Sequence, residues 1–110
     1  MKVAVAASTP ELDATIDQRF GRCSWFVVVD TVTMDFETLE NPGALAGTGS
    51  GVAASQLIAD AGAEAVVAGS LGPNAIGALK AGGLAMFKAG DGTVKDAAIA
   101  AEKGELEAIE

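Results

Sequence analysis

Residues 64–79 read Glu64-Ala65-Val66-Val67-Ala68-Gly69-Ser70-Leu71-Gly72-Pro73-Asn74-Ala75-Ile76-Gly77-Ala78-Leu79, and their reading decides the fold. Ala65-Val66-Val67-Ala68 is a short apolar run without polar alternation. A parallel strand covered on both faces has this pattern, and so does a buried helix segment, so periodicity alone leaves both open. The punctuation says more. Gly69 ends the run, Pro73 suits the first position of a helix, where its missing N–H costs nothing, and Gly82 can close that helix in a left-handed conformation. Residues 64–82 thus spell strand, glycine turn and helix. Ligands in open α/β sheets bind at the carboxyl ends of strands, which makes the turn at residues 69–74 the first candidate for function.

Upstream of this unit, Ala54, Leu57, Ile58 and Ala61 recur at the spacing of an amphipathic helix, with Ser50 expected as its N-cap and Gly62 as its stop. Downstream, Leu84-Ala85-Met86-Phe87 reads as another short buried strand. Asp91-Gly92 turns the chain, Thr93 is a candidate cap, and Val94, Ala97, Ala98 and Ala101 form a third helical face. Nearer the amino end, residues 3–7 and 24–30 are strands by their apolar and β-branched content. Residues 35–40, with three acids beside Phe36 and Leu39, suit an edge strand, where charge discourages sheet-to-sheet association. Residues 8–22 show no sustained period and read as a long loop, with a turn of helix expected near residues 12–16; loops of this length in compact domains are often functional. The order is β β β α β α β α, a meander followed by crossovers that should be right-handed. If the later strands pair beside the first, residues 19–23 fall close to residues 69–74.

A chain of 110 residues, half of them apolar, fits one small domain over residues 1–110 with a single core. No apolar stretch approaches the roughly 20 residues that span a bilayer. The apolar run after Lys2 is shorter than a signal-peptide core of about 7 to 15 residues, so a cytoplasmic protein is expected. The formal charge of -8, from 7 Lys plus Arg against 15 Asp plus Glu, argues against a nucleic-acid partner. The charge is uneven, however. Both arginines, Arg19 and Arg22, stand within four residues, while Glu102, Glu105, Glu107 and Glu110 gather at the carboxyl end. A single cysteine and no histidine exclude an intrachain disulfide and the common Cys/His zinc sites within one chain.

Without histidine no Ser-His or Cys-His nucleophile pair can be built, and no spacing gives Asp13, Asp17 and Asp30 paired acid and base roles, so solvated acids are the simpler reading. Gly47-Thr48-Gly49-Ser50-Gly51 resembles a phosphate cradle but matches neither the P-loop nor the dinucleotide fingerprint, and a plain flexible loop explains it as well. The 69–74 turn is open to a ligand-binding or a purely structural reading. Cys23 is either a small buried hydrophobe or, with two arginines favouring its thiolate, a soft-metal ligand. Met34 and Met86 read as core fillers.

Met1-Lys2-Val3-Ala4-Val5-Ala6, Arg19-Phe20-Gly21-Arg22-Cys23 before an aromatic strand ending at Asp30, Glu40-Asn41 before a glycine-rich loop, and residues 66–72 before a helix together resemble the dinitrogenase iron-molybdenum cofactor biosynthesis family. Phe-Gly-Arg at 20–22 is the most specific piece. The resemblance implies an α/β, ribonuclease-H-like three-layer fold with a five-stranded mixed sheet and about three helices. It also implies binding or carriage of metal–sulfur clusters, as in small stand-alone members of the orange-protein type, which hold a molybdenum–copper sulfide cluster. Arg19 stands where many members carry histidine, so only Phe20, Gly21, Arg22 and Cys23 carry over.

The leading expectation is a non-enzymatic binding or carrier protein for an anionic, molybdenum-containing metal–sulfur cluster, of the molybdenum–iron or molybdenum–copper sulfide type. Arg19, Phe20, Gly21, Arg22, Gly69, Ser70, Gly72 and Asn74 would surround the cluster, with Cys23 as metal ligand and other cofactor-assembly proteins as partners. Two alternatives stand beside it: a small-anion or nucleotide-binding regulatory module using residues 47–51, and an interaction domain that dimerises through the edge strand near Phe36.

Overall fold

The computed structural model describes residues 1–42 and 50–109. The elements run β1 (Lys2–Ala7), β2 (Trp25–Asp30), β3 (Phe36–Glu40), α1 (Ser50–Asp60), β4 (Ala65–Ala68), α2 (Pro73–Ala81), β5 (Ala85–Lys88) and α3 (Val94–Glu102). They form one five-stranded sheet in the order β3-β2-β1-β4-β5. β1, β2 and β3 pair antiparallel, while β1, β4 and β5 pair parallel, so the sheet is mixed, as the resemblance implies.

Strand alternation divides the apolar residues between two cores. Ala4, Ala6, Phe26, Val28 and Val66 pack with Ile58 of α1 and Leu79 of α2 on one face. Val3, Val5, Val27, Val29 and Val67 pack with Val94, Ala97, Ala98 and Ala101 of α3 on the other. Central strands wetted on neither side need no polar alternation, which is why β1 and β4 read as continuous apolar runs. Fully burying Ile58 or Leu79 is worth roughly 1.5–3 kcal/mol each, enough for these two side chains to anchor their helices.

All three helices stop in the same way. In each, a glycine with positive φ (Gly62, Gly83 or Gly104) follows the last turn. Its N–H and that of the next residue reach back to carbonyls of the final turn, as in Gly83 to Lys80 and Leu84 to Leu79, both 3.0 Å. The left-handed closure expected at Gly82 therefore falls one residue later: Gly82 has φ −80 and is still right-handed, and Gly83 takes φ +76. The helical turn expected near residues 12–16 is replaced by a turn closed by Ala14 N–H to Glu11 O (3.2 Å) and by bridges from Ile16 to Ala7 and from Thr15 to Thr93. This loop is tied to the sheet and to the start of α3 instead of to itself.

The free edge of β5 is covered by residues 107–109, through Lys88 N–H to Glu107 O and Ile109 N–H to Met86 O, both 2.8 Å. β3 is the other edge, largely exposed, with Phe36 45% accessible. Among the described residues no helix is long and apolar enough to cross a membrane. Gly47, Thr48 and Gly49 of the glycine-rich segment, and the side chain of the expected cap Ser50, lie outside the described residues.

Candidate anion site

Parallel pairing of β1 with β4 brings the carboxyl ends of both strands to one edge of the sheet, and the chain segments that follow them run side by side. Arg19 bridges Ser70 in parallel register. The Ser70 N–H and Oγ donate to Gln18 O at 3.1 and 3.4 Å. Between the segments lies a cavity of about 330 Å³, near the lower end of the range of small-ligand sites. Arg19, Phe20, Gly21 and Arg22 line one side and Ser70, Gly72, Pro73, Asn74 and Ala75 the other, with Gly51 and Val52 of α1 closing the third. Seven expected residues thus share one cavity, whereas Gly69 and Cys23 do not line it.

Among the described residues the lining holds two arginines and no carboxylate. Arg19 is not an unopposed charge, because its Nε and Nη2 each donate to a carboxylate oxygen of Asp17 at 3.1 Å and its backbone N–H adds a third bond at 2.9 Å. Burial pushes the Asp17 carboxyl up, but the Arg19 side-chain and backbone hydrogen bonds and the arginine charge outweigh it and hold the carboxyl below its ordinary value. The reading of Asp17 as a solvated acid is corrected accordingly: its side chain is 11% exposed and paired.

Cys23 overturns a second expectation. The neighbouring arginines were expected to favour its thiolate, but the residue is fully buried, and burial followed by the charge of Asp17 pushes the thiol up to about 12. The Sγ–H instead donates to Phe20 O at 3.3 Å and so closes the Phe20-Gly21-Arg22 turn from beneath. A neutral, enclosed thiol is a structural hydrogen-bond donor here and presents no sulfur to the cavity.

The same turn is clamped by Asn41, which is 3% exposed. Its Nδ2 lies 3.2 Å from Gly21 O, 2.9 Å from Cys23 O and 3.8 Å from Cys23 Sγ, and its backbone N–H donates to Ser24 O at 3.0 Å. With two carbonyl acceptors facing it, this end of the amide must be the NH₂. Glu40-Asn41 had figured only as part of a matching pattern, and nothing in the sequence assigned Asn41 this role.

Two helix starts complete the site. Gly51 and Ala75 are so close that a Cβ on Gly51 would stand 3.1 Å from Ala75 Cβ, which puts the amino ends of α1 and α2 side by side. Neither helix has an acid in its first turn, and the α2 cap position, Gly72, supplies no side-chain acceptor. Pro73 has no N–H to satisfy, and the first α2 amide with a backbone partner is that of Ile76, bonded to Gly72 O at 3.0 Å. Amides of a helix's first turn carry partial positive charge and have no intrahelical acceptor, so those of Asn74 and Ala75 are available to an anion in the cavity. Among the described residues no group of three or more His, Cys, Asp or Glu could hold a bare metal ion. The two arginines and the uncapped start of α2 suit the arrangement to holding an anion by charge and N–H donation.

A three-layer α/β domain with an arginine-lined cavity at the carboxyl ends of its central parallel strands is the class defined by fold and site. The chain belongs to the dinitrogenase iron-molybdenum cofactor family, whose sequence model matches residues 1–104. Its structure is similar to that of the apo form of the orange protein from Desulfovibrio gigas, with 35% identity, a TM-score of 0.93, and coverage of 98% of this chain and 92% of that one. A protein from Thermotoga given the provisional name NifB is 32% identical, with a TM-score of 0.83 and coverage of 97% and 91%. A protein of Methanocaldococcus jannaschii provisionally named a dinitrogenase, 18% identical with a TM-score of 0.68 over 100% and 95% of the two chains, shares the fold. No curated protein matches the chain.

Proposed function

We propose that the protein is a non-enzymatic carrier for an anionic metal–sulfur cluster, an iron–molybdenum cofactor precursor or a molybdenum–copper sulfide, held in the cavity between residues 19–22 and 70–75. The observation that carries this reading is the convergence of Arg19, Arg22 and two helix amino ends on a cavity with no carboxylate among its described lining residues, in a chain whose net charge is -8. A diffuse, weakly hydrated metal–sulfide anion suits such a site: the arginines offset its charge, the amides of Asn74 and Ala75 donate to sulfide, and Phe20, Val52 and Pro73 limit water. Cys23 is left out of the ligand set because its thiol is buried and protonated. Family membership and likeness to the orange protein support the choice of cargo, and a cytoplasmic location and exchange with other cofactor-assembly proteins accompany it.

Anaerobic reconstitution tests the proposal. Tetrathiomolybdate with Cu(I), or with an iron–sulfide source, should yield protein that retains molybdenum through gel filtration and shows a sulfide-to-metal charge-transfer band. Arg22→Gln should weaken retention. Gly51 and Val52 line the same cavity, so phosphate and nucleotides are the natural competitors. Saturable heat with a nucleotide, together with no band from either cluster mixture, would select the small-anion reading instead.

A further inference from the structure

The tightest glycine contact among the described residues lies beside the cavity and outside its lining. Gly69 follows β4 and precedes Ser70, yet it is not among the described glycines with positive φ, so its backbone does not require glycine. Space requires it. A Cβ on Gly69 would overlap the side chain of Gln18, whose own Cβ and Cδ lie 2.8 Å from that point. Among the described glycines this is the tightest approach; Gly72, by contrast, has nothing within 4 Å. The Gln18 side chain therefore lies across the bare α carbon of Gly69, while Gln18 O accepts from both Ser70 N–H and Ser70 Oγ. The next residue, Arg19, is the one in register with Ser70, and both line the cavity.

We propose that Gln18 and Gly69 are a positioning pair for the anion site: the missing side chain at Gly69 seats Gln18 across the end of β4, and this seat fixes Arg19 and the Phe20-Gly21-Arg22 turn over the amides of Asn74 and Ala75. The pair touches no anion and acts through the register of Arg19 with Ser70. The inference rests on the anion-site reading above, but half of its test needs no anion.

The test compares the whole wild-type protein with Gly69→Ala, Gln18→Ala and the double variant Gly69→Ala/Gln18→Gly. The first readout is hydrogen exchange at the Ser70 amide, referred to that of Val67 inside β4. The second is affinity for tetrathiomolybdate. Gly69→Ala should speed Ser70 exchange while Val67 stays protected, and should weaken tetrathiomolybdate binding about tenfold, the usual scale of coupling between touching residues. The double variant, which removes all three of the nearest Gln18 atoms, should relieve the overlap and bring both readouts back from the level of Gly69→Ala to that of Gln18→Ala. Gln18→Ala introduces no overlap and should produce both changes at smaller amplitude, so the pair stays testable if Gly69→Ala does not fold. Unchanged Ser70 exchange in Gln18→Ala, or a double variant with intact Val67 protection that recovers neither readout, overturns the proposal. If the wild type binds neither tetrathiomolybdate nor its mixtures with Cu(I) or an iron–sulfide source, the cluster reading fails, and Ser70 exchange still decides for or against the pair.

Discussion

Helices α2 and α3 both follow parallel strands and both begin at the same edge of the sheet, yet their first turns are opposites. At α3, Thr93 Oγ1 accepts from Asp96 N–H at 3.2 Å, and the Asp96 carboxylate accepts from Thr93 N–H at 3.3 Å. Val94 and Lys95 donate to Ala14 O and Leu12 O at 3.0 and 2.8 Å. The positive end of α3 is thus consumed by its own cap, an acid and the preceding loop. At α2, Gly72-Pro73-Asn74-Ala75 supplies no cap side chain and no acid, and the first turn opens on a cavity lined by arginine. Of these two helix starts, that of α3 is closed by its local sequence and that of α2 is left open toward the cavity.

The largest expected effect comes from making α2 resemble α3. Asn74→Asp puts a carboxylate into the first turn, where it should steady the helix by about 0.3–1 kcal/mol while repelling the cargo. A unit charge a few ångströms from an anion near a protein surface is worth about 4 kcal/mol at most, so the affinity for a thiomolybdate–copper cluster should fall by about two orders of magnitude. Equilibrium dialysis and thermal melts should therefore move in opposite directions.

Next in size is the clamp beneath the α2 side. Asn41→Ala leaves the carbonyls of Gly21 and Cys23 without their buried donor and should cost about 1–3 kcal/mol in urea unfolding. The matching change on the α3 side, Thr93→Ala, should cost about 1 kcal/mol and leave cluster affinity unchanged. A loss of affinity there would mean that the two helix starts are not independent.

The α2 side also carries a buried thiol that titrates. Cys23 ionises near 9.0 in a solvated chain but is pushed up to about 12 in the fold. The stability this provides is complete below pH 9.0 and drains away as pH rises toward 12. Cys23→Ala should remove that part of the alkaline slope, a difference of roughly 1 kcal/mol at pH 10. The smallest effect is expected at Asp17. Its lowered carboxyl stabilises the fold above its ordinary pKa, and that contribution disappears as pH falls through the folded value. Because Arg19 is largely exposed, Asp17→Asn should cost under about 1 kcal/mol, and it should tighten cluster binding by releasing the arginine's charge.

The contrast between the helix starts was partly legible in the sequence. Thr93 was readable as a cap, and strand, turn and helix were readable across residues 64–82, because capping and turn chemistry are local. The juxtaposition of Arg19 with Ser70 followed once β4 was set beside β1. The roles of Asn41 and Gln18 were not legible, because the partners of the Asn41 amide and of Gln18 O stand 18 or more residues away and no local spacing points to them. Cys23 was misread for the opposite reason: sequence shows which charges are near but not how much hydrocarbon covers the sulfur, and burial is the larger influence on its proton. The one-residue error at Gly82 shows the limit of reading a glycine pair, since either residue could adopt the left-handed turn and packing chose the second.

Amide chemical-shift mapping during titration with tetrathiomolybdate and Cu(I) tests the account most directly. The amides of Gly21, Arg22, Gly51, Asn74 and Ala75 should shift together and saturate at a common stoichiometry, while those of Thr93, Val94, Lys95 and Asp96 stay in place. Shifts centred on α3 or on β3, or none at an excess of cluster, would contradict it.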